Sequence, residues 1–122
     1  MYRNSDDVLA RVQETVPFLG IEIKSIDQRS IFNDTPLILV MGWYDTEAAT
    51  LLLREGADVH AIGERGDTAL HRAASLGNET LVELLLSFGA PRASKNDDGH
   101  TPHDLAVLGG HKEIAAALGR GA

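Results

Sequence analysis

Apolar residues recur in short helical patterns separated by polar, glycine-rich stretches. In the middle of the chain Leu70, Ala73 and Ala74 stand at i, i+3 and i+4, a narrow stripe of mostly small side chains. Small groups let such a helix approach its neighbours closely. The next run, Leu81, Val82, Leu84, Leu85 and Leu86, is apolar on two sides, so it predicts a helix covered by neighbouring elements. Near the N-terminus Val8, Leu9, Val12 and Val16 also keep helical spacing, and Pro17 stops the run. Ser5 offers a capping hydroxyl there, and Asp6 and Asp7 suit the positive end of a helix dipole. These signals predict a helix over about 5–16. Beyond it Ile21 and Ile23 alternate with Glu22 and Lys24, which predicts a short strand or extended segment over about 20–26.

The later patterns are copies of one another. Thr35, Thr68 and Thr101 are spaced 33 residues apart. In that register Leu51–Leu53 falls on Leu84–Leu86, Gly56-Ala57 on Gly89-Ala90, and Gly66 and Gly77 on Gly99 and Gly110. Each Thr can cap an orphan backbone N–H at a helix start, and Pro36 and Pro102 sit where a missing N–H costs nothing. With its period and its Thr68-Ala69-Leu70-His71 sequence, this stretch resembles the ankyrin repeat, whose signature is T-P-L-H-x-A. The resemblance covers about 35–118.

It implies an all-α fold: an ankyrin-repeat solenoid of helix-turn-helix units joined by protruding turns. Repeats are expected at 35–67, 68–100 and 101–122, the last serving as a C-terminal cap, with residues 1–34 capping the other open end. Thr35, Pro36, Thr68, His71, Thr101 and Pro102 carry structural roles in this reading, His71 as a hydrogen-bonding residue. Tyr44 stands where the family usually has Gly, which predicts a local shift of that turn and of Trp43 with it.

Composition narrows the chemistry. With no cysteine, disulfides, thiolate zinc sites and thiol nucleophiles are excluded. His100 and His103 have ligand-like spacing, but no HExxH pattern accompanies them, and no Walker loop, GxGxxG or GxSxG occurs. Neither an enzyme, a cofactor nor a metal is expected. The net charge of −7 disfavours nucleic acid and an anionic membrane, and favours a basic partner. That charge is uneven: −2 over 1–34, −4 over 35–67 and −1 over 68–122. The polar, acidic N-terminus is unlike a signal peptide, and no apolar run approaches the roughly 20 residues of a spanning helix, so a cytoplasmic protein is expected.

The resemblance implies partner contacts at turn tips and along the exposed side of each first helix. Carried onto this sequence, those positions hold the acids Asp34, Glu55, Glu64, Asp67, Asp97 and Asp98, with Arg65 the lone strong base. They also hold Phe32, Trp43, Leu76, Phe88 and Leu108, apolar groups expected to meet solvent, with packing of Trp43 under the N-terminal cap as its alternative. Aromatic anchors within an acidic rim suit a protein interface. The expectation is a non-catalytic module, monomeric when free, that binds one protein partner with a basic surface. The chain resembles small stand-alone bacterial ankyrin proteins that are often immunity proteins, and the resemblance implies an inhibitor that binds and blocks a basic toxin or enzyme. A regulatory adaptor of an intracellular enzyme and a host-directed effector are the alternatives.

Overall fold

Each of the three threonines begins a helix. The structure, a computed structural model, describes residues 2–15 and 22–120. In it Thr35 Oγ1 accepts from the N–H of Ile38 (3.4 Å), Thr68 Oγ1 from His71 (3.3 Å) and Thr101 Oγ1 from Asp104 (3.2 Å). At the last two caps the third helical residue also accepts the threonine N–H, closing a reciprocal box. These caps open α2 (Pro36–Val40), α4 (Ala69–Leu76) and α6 (Pro102–Leu108). Each runs into a partner helix: α3 (Thr46–Arg54), α5 (Glu79–Ser87) and α7 (Lys112–Arg120). Asp45 and Asn78 cap the first two of these partners. Among the described residues there is no strand.

The helices form two layers. α2, α4 and α6 stack in one, and α3, α5 and α7 lie against them in the other. Alanines at the contacts (Ala48, Ala49, Ala73, Ala74, Ala106) are fully buried, which is how the backbones come close. Leu37, Ile38, Leu52, Leu70, Leu81, Leu85, Ile114 and Leu118 join them in one continuous core. The α6 end of the stack is different. Leu70 and Ala74 of α4 are fully buried, whereas the equivalent His103, beside Gly119 of α7, is only half-buried and Val107 is 56% exposed.

At the other end α1 (Ser5–Gln13) packs on α2 and α3 through Val8 and Val12. Its cap is Asn4, not Ser5: Asn4 is fully extended and its side chain accepts from Asp7 N at 3.3 Å, while Ser5 is buried in the first turn. The helix stops at Gln13 and a turn follows at Glu14 and Thr15, so it is shorter than the expected 5–16. Val16, Pro17 and Ile21, with part of the segment expected at 20–26, lie outside the described residues. Of that segment, residues 22–24 have no regular structure and a turn begins at Ser25.

α1 is pinned by a polar cluster. The Tyr2 hydroxyl donates to Asp45 Oδ2 (2.8 Å) and accepts from Arg11, whose guanidinium stacks 4.0 Å from the centre of the Trp43 ring. Desolvation and the Asp45 carboxylate push the Tyr2 phenol above its ordinary range. Tyr44 does not shift the turn as expected. It holds the left-handed conformation (φ 56°) that Gly77 and Gly110 adopt at the equivalent positions, and only the turn before it, Met41–Trp43, tightens to a 3-10 helix.

Candidate protein interface

Three turns precede the three capping threonines, and all close with the same backbone bond. Ser30 N donates to Asp34 O (2.8 Å), Gly63 N to Asp67 O (2.8 Å) and Asn96 N to His100 O (2.9 Å). The fourth residue of each turn, Asn33, Gly66 and Gly99, is left-handed, with φ of 67°, 75° and 80°. Neighbouring turns are keyed together. Asp34 Oδ1 accepts from Glu64 N (3.0 Å), Arg65 O from Asp97 N (2.9 Å), and Asp67 Oδ1 from Asn96 Nδ2 (2.9 Å). His71 adds a further tie. Its Nδ1 accepts from Thr68 N (3.1 Å), which leaves Nε2 to donate to His100 O (2.9 Å). The tips therefore line up as a ridge bearing Ile31-Phe32, then Glu64-Arg65, then Asp97-Asp98.

This arrangement divides the acids expected at the interface. Asp34 is 5% exposed and is no contact residue: its second oxygen accepts from Arg72 Nη2 at 3.0 Å, so its charge is consumed inside the stack. Asp67 is half-buried with one oxygen committed to Asn96. Glu64, Asp97 and Asp98 are exposed, and among the described residues no hydrogen bond or ion pair uses their carboxylates. Arg65 is exposed between them. Glu55 is exposed elsewhere, lining a cleft of about 300 Å³ with Ser5, Leu9, Ile23 and Lys24 that no turn-tip residue enters. It does not join the ridge.

The apolar candidates also separate. Phe32 is 48% exposed on the first tip. Trp43 is not free: it is half-buried against the core beneath Arg11, because α1 covers the end of α2. Leu76 and Phe88 are exposed at the C-terminal ends of α4 and α5, and Leu108 projects from the end of α6. Leu108 lines a second, mostly apolar cleft of about 290 Å³ with His100, His103, Asp104 and Val107. Four exposed apolar residues, Ile31, Tyr44, Ile62 and Val107, were not among the candidates. Ile62 occupies the position filled by Arg29 and Lys95 in the flanking turns, an exception visible in the sequence. Tyr44 is exposed beside Leu76, its hydroxyl donating to the Leu76 carbonyl at 3.3 Å. Among the described residues no three His, Asp or Glu side chains are grouped to share a cation. Nor is any described helix long and apolar enough to cross a membrane.

A family model described as ankyrin repeats, in three copies, matches residues 9–91 and 37–122. The chain belongs to the ankyrin-repeat family. Ankyrin stacks are protein–protein interaction scaffolds, generally without catalytic chemistry of their own. This one is 46% identical over 59 residues to protein phosphatase 1 regulatory subunit 27 of Homo sapiens, covering 48% of this chain and 38% of that protein. It is 41% identical over 61 residues to Notch-regulated ankyrin repeat-containing protein B of Danio rerio, covering 50% and 55% respectively. With the probable E3 ubiquitin-protein ligase XBOS34 of Oryza sativa subsp. japonica it shares 37% identity over 121 residues, 96% of this chain and 22% of the ligase. The chain thus spans less than two thirds of each of these relatives, and what they share with it is the ankyrin stack.

Proposed function

We propose that this ankyrin stack is a non-catalytic binding module for a protein with a basic surface, which it covers with its turn-tip ridge. The observation that carries the reading is the contrast among its acids. Asp34 is spent on Glu64 N–H and Arg72, whereas Glu64, Asp97 and Asp98 stand exposed on the tips with no described partner. Unpaired like charges on neighbouring turns are mutually repulsive, a cost that an arriving cationic surface relieves while the same field speeds encounter. Inhibition by occlusion is the form such binding takes when the basic surface is an active site, as in immunity against a toxin. A regulatory-adaptor role is the second reading. It is favoured by the likeness to a protein named as a phosphatase regulatory subunit.

The test is partner capture followed by calorimetry. The triple variant E64K/D97K/D98K is expected to weaken the captured partner at least tenfold in Kd, roughly 1.4 kcal/mol or more, with unchanged helical circular dichroism. The wild-type affinity should fall steeply between low and physiological salt. Equal affinity of the variant, or binding indifferent to salt, refutes the ridge as the contact. Activity assays of a captured enzyme then separate inhibitor from adaptor.

A further inference from the structure

The ridge is chemically graded from one end to the other. Its first tip carries Ile31, 59% exposed, beside Phe32. Ile62, 51% exposed, stands in the next turn, where the Arg29 guanidinium donates to its carbonyl as well as to that of Asn33 (2.8 Å). Two large apolar side chains thus stand adjacent and exposed on the first tip, where single exposed hydrophobics would need no explanation. The middle tip sets exposed Glu64 next to exposed Arg65, without an ion pair between them, so its charge is close to neutral overall. Arg65 is held left-handed (φ 62°), unlike the residues at the equivalent positions in the other turns, Phe32 and Asp98. The last tip is purely acidic, Asp97 and Asp98.

We infer that the ridge takes an extended segment of the partner with an apolar side chain on Ile31 and Phe32 of the first tip and Lys or Arg against Asp97 and Asp98. This rests on the basic-partner reading above and adds an order to it. Stacked helices lie about 10 Å apart, so the first and third turns are separated by about 20 Å. An extended chain advances about 3.3 Å per residue, which places the apolar anchor and the basic pair about six residues apart. Arg65 sits beneath the middle of the segment and repels Lys or Arg there. A uniformly basic tail is therefore disfavoured relative to one whose charge is confined to the end. Main-chain extension also suits the ridge, which offers side-chain features spaced by turns rather than a groove that would enclose a helix.

The probe is a phage-displayed library of random peptides of about twelve residues, long enough to reach across the ridge. Enriched peptides are expected to carry one large apolar residue and a Lys/Arg pair five to seven positions apart, about the span worked out above. A consensus peptide should lose about tenfold in affinity with F32S and with D97K/D98K, only the latter abolishing its salt dependence. Both sets of substitutions lie on exposed turn tips, and circular dichroism checks the fold. Basic peptides that lack the spaced anchor and ignore F32S overturn the graded ridge but leave the basic-partner reading standing. Peptides without excess Lys or Arg overturn both. No enrichment over the I31S/F32S/D97K/D98K variant overturns the extended-segment inference alone, since a folded basic surface still fits the ridge.

Discussion

Replacing Gly63 with alanine puts a methyl group where the carboxylate of Asp34 already lies. The added Cβ would overlap Asp34 Oδ1, with Ile38 Cδ1 only 3.1 Å and Asp34 Cγ 3.3 Å away. The φ of −104° at Gly63 is open to other residues, so crowding rather than backbone conformation sets the cost. Asp34 has nowhere to retreat: it is buried, and its two oxygens hold Glu64 N–H and the Arg72 guanidinium at 3.0 Å each. Hydrogen bonds to charged groups are worth about 1.5–3 kcal/mol each. Losing or badly stretching one of them, with a buried charge left short of partners, gives an expected loss of about 2–4 kcal/mol. Urea unfolding measures it, provided the m-value stays constant. A double-mutant cycle isolates the cause. In an Asp34→Ala background the methyl has room, so Gly63→Ala should cost less than about 1 kcal/mol there, and the two changes should be strongly non-additive. Additivity within about 0.5 kcal/mol would refute the crowding argument, as would a Gly63→Ala protein of wild-type stability.

Two further predictions concern the ends of the stack. Trp43→Ala should destabilise by about 2–3 kcal/mol in urea unfolding, since it removes a half-buried ring that both the core and Arg11 contact. An unchanged midpoint combined with lost partner capture would instead make Trp43 a contact residue. Asp104 is held below the ordinary carboxyl range, first by the backbone N–H of Thr101. A depressed folded pKa adds stability above the unfolded value of 3.8, which is lost as pH falls through the folded value. The Tm difference between wild type and Asp104→Ala should therefore be full near neutrality and shrink below about pH 4; a constant difference would contradict it.

The elements that were legible in the sequence are those whose causes are local. Thr35, Thr68 and Thr101 cap because a β-hydroxyl two or three residues before a free N–H can do little else well, and the spacing of 33 repeated the signal. Asn4 and Ser5 are both good caps, and only the burial of Ser5 against the stack chooses between them. The fate of the acids was harder to see because it depends on the neighbouring turn. Asp34, Asp67 and His100 share one register position that faces the stack, while Glu64, Asp97 and Asp98 occupy the tips. A reading by register position, rather than by charge, would have separated them. Trp43 was undecidable from its own repeat, since Arg11 on α1 covers it from outside the periodic region.

The α6 face bearing Val107 and Leu108, exposed among the described residues, gives the stack a direction in which it comes apart. A helix pair buried on one side has fewer contacts to lose than a pair held on both, so opening should start at α6 and α7 and move inward. Amide hydrogen exchange would then form a gradient, slowest around α4 and α5. The turn carrying Asp97 and Asp98 lies where the last pair meets the middle one, its backbone tied to the Arg65 carbonyl. A partner gripping that tip and the first one together would act as a strap across the seam. Binding would then register as slowed exchange in α6 and α7, at a distance from the contact itself.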